Sequence, residues 1–523
     1  MTSSTSRRAE YKILEEALSK QKAEKEQLER KAVEIQARIR QLDSDILSTK
    51  SRWTMLAPVN MLPDDVMIDI LHIAYLHDFP HCRTDDGLCH TNSPIAFSQV
   101  CRRWRALALG MPALWTCIHV TPHQTKGYQA MAALYLERSR KRPVSVTFQA
   151  HLEPSELFPA FKPGWQHSAW PRYRASWEVL LAQSHRWKRC AVYTTFSIMS
   201  SHITQSLRGR ILPRLQYFAH SLSLEGTQSN GVRFFAPNLG RMDLINVSPG
   251  HPKTDAFTRL TELKLSECPS VRELQNVLSQ THLLQQLTLK DIQLYHGFFG
   301  WTGDRRIYLP HLRSLILSGY HEHDFGTSAI SEIFRCAPHL VELVLWDADI
   351  VGSELKLGTL SIPQSLRILR YGDFWMDSRE ITPSIPALFP GLEELHFNCE
   401  VAVEVLHTMI ELHESSGVVP LPNLRTLVFP GHVVHFEDPL GAFLKHRAKI
   451  GHPIHTVRLS KYAWRNLHRR SRTLLAKHAS QIITHSGKDD GVQWDWIDCD
   501  WNGELNVPVY MPWDGSFDWW DQF

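Results

Sequence analysis

The sequence predicts an α/β chain with three parts. A long N-terminal coiled-coil helix comes first, then a small all-α module, then an irregular solenoid of parallel strands and helices. Three observations carry this. The first 57 residues contain neither Gly nor Pro and repeat apolar residues at a 3.5-residue period. Residues 56–118 hold short helical patterns whose apolar faces exceed what so small a core can bury. From Leu215 onward a Leu-x-x-Leu-x-Leu pattern returns every 21–32 residues, the self-similarity expected of a stacked array.

Composition bounds the rest. The chain has 523 residues, 43% hydrophobic and 21% charged, which is ordinary globular usage. No uncharged apolar stretch approaches the ~18 residues of a membrane span, and the N-terminus lacks a secretory pattern. Nine cysteines with no C-x-x-C pair suggest reduced thiols and a cytoplasmic or nuclear setting. The Asn246–Ser248 sequon is then idle. A net charge of +3 does not argue for nucleic acid. Neither nucleic acid nor membrane is expected as a partner.

Residues 1–55 read as the coiled coil. Seam positions run Leu14, Leu18, Gln21, Lys25, Leu28, Ala32, Ile35, Ile39, Leu42, Ile46, Thr49 and Trp53, nine of them apolar. Good helix formers fill the remaining positions. The pattern predicts self-association through residues 14–53; the alternative is a helix packed on the chain's own body. Leu and Ile mix at both seam positions, which leaves oligomer number open.

Residues 56–120 form the helical module. Leu62-Pro63 precedes a helix with Val66, Met67, Ile70, Leu71 and Ala74 on one side. Pro suits a helix's first turn, and Asp64 and Asp65 suit its positive end. A second pattern places Phe97, Val100, Cys101, Trp104, Leu107 and Ala108 at helical spacing, with Arg102, Arg103 and Arg105 opposite, and Gly110 and Pro112 end it. Leu62-Pro63, the apolar helix through Ile70-Leu71, and VCRRWRALAL at 100–109 followed by Pro112 and Leu114-Trp115 resemble an F-box. The resemblance is to the expanded family of mushroom-forming fungi. It implies a three-helix module that docks a Skp-type adaptor and, through it, a cullin. Carried over by position, the adaptor-binding residues are Leu62, Pro63, Val66, Ile70, Leu71, Val100, Cys101, Trp104 and Leu107. The sequence does not separate adaptor contacts from the small core. A departure from the family is the insertion between Leu76 and Pro94. Its His77, His81, Cys82, Cys89 and His90 match no zinc spacing, so the segment reads as a polar loop and no metal is expected.

Residues 121–205 read as a linker with degenerate first repeats, PVSVTF at 143–148 and RWKRCAVY around Trp187. Residues 206–485 are the array. Its lead positions are Leu215, Leu239, Leu260, Leu284, Leu312, Leu340, Leu366, Leu392, Leu424 and Ile454. Within each copy, alternate residues face opposite ways, as strand geometry requires. Leu263 and Leu265 should face the core, and Glu262 and Lys264 the open side. Helical patterns lie between strands at 271–282, 328–340 and 401–413. This resembles leucine-rich repeats in an irregular form, which implies a parallel sheet whose open face binds a partner protein. Candidate target contacts there are Glu262, Lys264, Glu342, Arg370, Glu394 and His396.

Residues 458–478 form a basic helical pattern, read as a cap with Trp464, Leu467, Leu474 and Leu475 on its apolar side. Residues 486–523 form an acidic tail with six tryptophans, expected to fold back on that basic helix. There is no GxSxG, Walker A, HExxH or GxGxxG motif. HEHD at 321–324 reads as solvated loop. The chain reads as a non-catalytic protein without cofactor. The resemblance implies the substrate-recognition adaptor of an SCF-type E3 ubiquitin ligase, with the repeats holding an unknown target protein. The alternative is a stand-alone interaction scaffold with no ligase role.

Overall fold

The computed structural model describes residues 3–56, 58–78, 93–120, 128–150, 165–194, 197–222, 231–249, 257–266, 271–290, 307–318, 333–346, 362–372, 389–397, 399–429, 437–485, 499–500 and 504–505. The loop at 79–92, HEHD at 321–324 and most of the acidic tail lie outside these residues. The chain divides into two units, residues 1–77 with 95–111, and residues 78–94 with 112–523.

The first unit begins with α1 (Ser3–Leu56), a single helix of 54 residues. At 1.5 Å per residue it is about 80 Å long. Its seam residues from Leu14 to Thr49 are exposed, Leu14 at 64% and Ile46 at 49%. Helices α2 (Asp64–Asp78), α3 (Ser93–Val100) and α4 (Arg102–Gly110) follow. Asp64 and Asp65 occupy the first turn of α2, where carboxylates offset the partial positive charge of free N–H groups. Cys101 caps α4, its Sγ accepting from the Trp104 N–H.

The second unit contains an open, wholly parallel sheet of 14 strands stacked in chain order. The strands are β1 (Cys117–Val120), β2 (Val144–Ala150), β3 (Trp187–Thr194), β4 (Tyr217–Leu222), β5 (Arg241–Ile245), β6 (Glu262–Ser266) and β7 (Gln286–Lys290). Then come β8 (Ser314–Ser318), β9 (Glu342–Trp346), β10 (Ile368–Gly372), β11 (Glu394–Phe397), β12 (Thr426–Phe429), β13 (Thr456–Ser460) and β14 (Gln481–His485). The α/β class, the N-terminal helix and the parallel strands are those the sequence predicts.

The nine rungs β4 to β12 are built by the same local device. The lead leucine closes a three-residue turn: Leu215 N–H donates to Leu212 O, Leu260 to Phe257 O, Leu312 to Leu309 O and Leu392 to Phe389 O. All ten lead residues are buried. Three and five positions later come the inward strand residues, such as Leu263 and Leu265, Leu287 and Leu289, and Leu395 and Phe397, all buried. Parallel pairing puts like positions side by side, as in Leu263↔Leu287 and Leu287↔Leu315. Inward leucines therefore stack on leucines, and the array buries one continuous core.

Three features depart from the sequence reading. The sheet starts at β1, immediately after Leu114-Trp115 and inside the stretch read as the helical module, while β2 and β3 are the degenerate first repeats the sequence offers. Trp115 is buried in the second unit, edge-on to Tyr135 at 5.0 Å, with Arg138 over its ring. The basic stretch is broken: 456–460 is strand β13, and helices occupy Lys461–Asn466 and Arg469–His478. Ser460 breaks it by capping the first helix, its hydroxyl accepting from Ala463 N–H. Since β14 follows, these helices connect two rungs and do not end the array. Leu467 and Leu475 are buried there, while Trp464 and Leu474 are half-buried.

Candidate interaction surfaces

Two surfaces carry the residues the sequence singles out. The first lies on α2–α4. Met67, Leu71 and Tyr75, four residues apart, are buried along one stripe of α2. Val66, Ile70 and Ile73 form a neighbouring stripe that stays exposed. Met61 at 74% and Val100 at 58% are also exposed, Leu62 is half-buried and Pro63 exposed. The structure thus splits the predicted adaptor set. Leu62, Pro63, Val66, Ile70 and Val100 present apolar surface. Cys101, Trp104 and Leu107 are half-buried, with Trp104 edge-on to Phe97 at 6.4 Å. Leu71 is buried and takes the core role, one of the two the sequence left open for it, because a helical stripe one position round from Ile70 points away from it.

Arg103 fixes this corner. Its Nη2 lies 2.6 Å from Asp64 Oδ1 and also donates to the Leu62 carbonyl, so α4 is tied to the start of α2. Arg105 Nε donates to Ser98 O at 2.7 Å and joins α4 to α3. Sequence reasoning placed both arginines on the outer face without a task. The acidic pair at 64–65 was the only hint of a partner.

The second surface is the open side of the sheet. Its N-terminal half holds a network of paired charges around Tyr217. Arg189 and Arg241 lie over the Tyr217 ring at 4.6 and 5.4 Å. Tyr217 Oη donates to Asp243 Oδ2 at 2.8 Å, and Arg241 bridges Asp243 at 3.2 Å and Glu262 at 3.4 Å. Burial, then the Asp243 carboxylate, pushes the Tyr217 phenol well up, so it stays a donor. Cys117 on β1 is pushed up to about 12 by burial, against the pull of Arg189, so its thiol remains protonated and unreactive.

The C-terminal half holds the other four predicted target contacts. Arg370 Nε lies 2.6 Å from Glu342 Oε1, and His396 Nε2 lies 2.5 Å from Glu394 Oε1. The hydrogen bond from His396 holds the Glu394 carboxyl below its usual range. Burial drives His396 the same way, overriding the pull of that bond. The pair is therefore a neutral imidazole donating to a carboxylate. Register explains the grouping, since Arg370 sits beside His396 and Glu394 beside Ile368.

Not all of the outward candidates lie open. His396 is buried, and the Arg370 side chain is only 11% exposed. Adjacent strands lie about 4.8 Å apart, so long side chains in neighbouring rungs fold onto each other and pair. Glu262 is more accessible than the four candidates on β9–β11, at 45% for its side chain. Lys264 is half-buried on the same strand.

One residue joins rungs as well as facing them. Asn246 adopts a left-handed backbone with φ 54° after β5, a region Asn tolerates better than most side chains. Its Nδ2 donates to Leu222 O of the previous rung at 3.1 Å, and its N–H donates to Ser266 O of the next. No family model matches the chain, and no curated protein matches it. Among the described residues no helix is long and apolar enough to cross a membrane.

Proposed function

We propose that the chain is the substrate-recognition adaptor of an SCF-type E3 ubiquitin ligase. The helices α2–α4 dock a Skp-type adaptor, and through it a cullin, while the open face of the sheet holds a target protein. One observation carries this reading. Leu62 and Pro63 before α2, Val66 and Ile70 on it and Val100 on α3 leave apolar surface exposed, at the positions where the F-box resemblance puts adaptor contacts. Such a patch on so small a module marks a protein interface. The in-register ladder and the rung-bridging Asn246 support the leucine-rich-repeat part of the reading. The paired charges of β9–β11 support recognition of a polar protein surface, with specificity set by which pairs the target can replace.

The test is co-expression of the full chain with a Skp-type adaptor, beside a Leu62→Ala/Pro63→Ala variant. Capture that the double substitution abolishes supports the ligase receptor. Absence of capture by the folded, unsubstituted chain favours a scaffold that binds partners without a ligase.

A further inference from the structure

The seam of α1 is exposed and graded along its length. Written as heptads, Leu28, Ile35 and Leu42 take d positions, and Ala32, Ile39 and Ile46 take a positions. Each of these six is exposed, between 44% and 60% for the five large ones. Over residues 28–46 two of three a positions are Ile and two of three d positions are Leu, a combination that favours two parallel strands. Before residue 28 the seam is weaker and carries Gln21 and Lys25.

The flanking charges are graded the same way. In a parallel, in-register pair each g position faces the e position of the partner's next heptad. Arg38 would face Asp43 and Asp45 would face Lys50, opposite signs that occur twice by symmetry. Toward the N-terminus, Glu10 would face Glu15 and Glu24 would face Glu29, like signs that repel. Favourable core and favourable charge therefore coincide over residues 28–50, and both unfavourable features precede them. Antiparallel staggers fare worse. Two of them set Arg38 against Glu24 or Lys31, and Asp43 against Glu15 or Lys22, so one contact joins like charges in either case, and both press the charged Lys25 against Ile35 or Leu42. A third, which lays Leu28 on Ile46, sets Arg38 against Arg38, Glu29 against Asp43 and Lys22 against Lys50, each a contact of like signs.

We propose that residues 28–50 pair with the same residues of a second copy as a parallel, in-register, two-stranded coiled coil. The contact runs about 34 Å, at 1.5 Å per residue. A parallel arrangement places both copies' α2–α4 modules beyond the same end of the coil, so a bivalent partner can engage both at once. The inference stands apart from the ligase reading.

Sedimentation of the full chain should give twice the 60.3 kDa chain mass. Fluorescence transfer between donor- and acceptor-labelled N-termini of mixed chains should be strong, because parallel helices bring them together. An Ile39→Asp/Ile46→Asp variant should sediment as a monomer, with transfer lost and the thermal transition of the repeat unit unmoved. A monomeric or trimeric parent overturns the proposal. So does a dimer without transfer, which would be antiparallel, or a double variant that remains dimeric, which would pair elsewhere.

Discussion

Arg103 and Asp64, 39 residues apart in sequence, meet with Nη2 2.6 Å from Oδ1, and the same nitrogen holds the Leu62 carbonyl. Asp64 is largely exposed, and an ion pair so solvated contributes about 1 kcal/mol or less. The Leu62 bond adds a charge-assisted contact of about 1.5 kcal/mol. Arg103→Ala should therefore destabilise the helical module by about 2 kcal/mol, and Asp64→Asn by well under half of that. Hydrogen exchange of the α2 amides reads both. Equal losses would mean that the carbonyl bond contributes nothing.

Neighbouring residues on α2 should separate binding from folding. Val66→Asp and Ile70→Asp alter exposed side chains, so the chain should keep its helix content while adaptor capture is lost. Leu71→Ala empties a buried position and should cost about 2–5 kcal/mol of module stability. Circular dichroism with co-precipitation distinguishes them. Normal capture by both Asp variants would remove this face from the proposed interface.

Arg447 is a buried cation held by backbone carbonyls. It donates to the carbonyls of Pro420, Leu421, Leu424 and His452 at 2.9–3.3 Å. It thereby pins the turn before β12, where Leu421 takes φ 48°. Burial lowers its affinity for a proton to about 10, so it stays charged at neutral pH. Arg447→Ala strands several carbonyls and should cost about 3–5 kcal/mol. Urea unfolding should show the last rungs melting ahead of the rest, since repeat arrays lose stability locally. An unchanged transition would show that water replaces the guanidinium there.

Stability should fall on acidification. His220 points inward from β4, with Nε2 3.2 Å from Ser200 Oγ, and burial pushes it down from 6.5 to about 3. The unfolded chain binds a proton at this residue below about pH 6.5 and the folded chain does not, so the unfolded state gains as pH drops. From pH 6.5 to 5 this amounts to about 2 kcal/mol, at 1.36 kcal/mol per pH unit. His396 and His446, also lowered by burial, act with the same sign. Urea titrations at pH 7 and pH 5 should show the drop, and His220→Leu should reduce it. An undiminished drop in that variant would assign the effect to other groups.

The array and the long helix were legible in the sequence because their causes are local. A strand alternates its faces every residue, and a lead leucine three residues after another small or apolar residue closes the same turn in each copy. The seam of α1 is likewise a periodicity of one helix. Only the tertiary structure decided which outward residues meet. Glu342 finds Arg370, 28 residues away, and Tyr217 finds Asp243, 26 away, because strand register chooses neighbours across rungs of unequal length. It also decided that Leu71 is core while Ile70 is surface, that Arg103 closes the module, and that Arg447 lies inside. Each of these depends on carbonyls or side chains brought in from another element. A charged residue reads as surface in one dimension until the backbone groups that replace its water are in place.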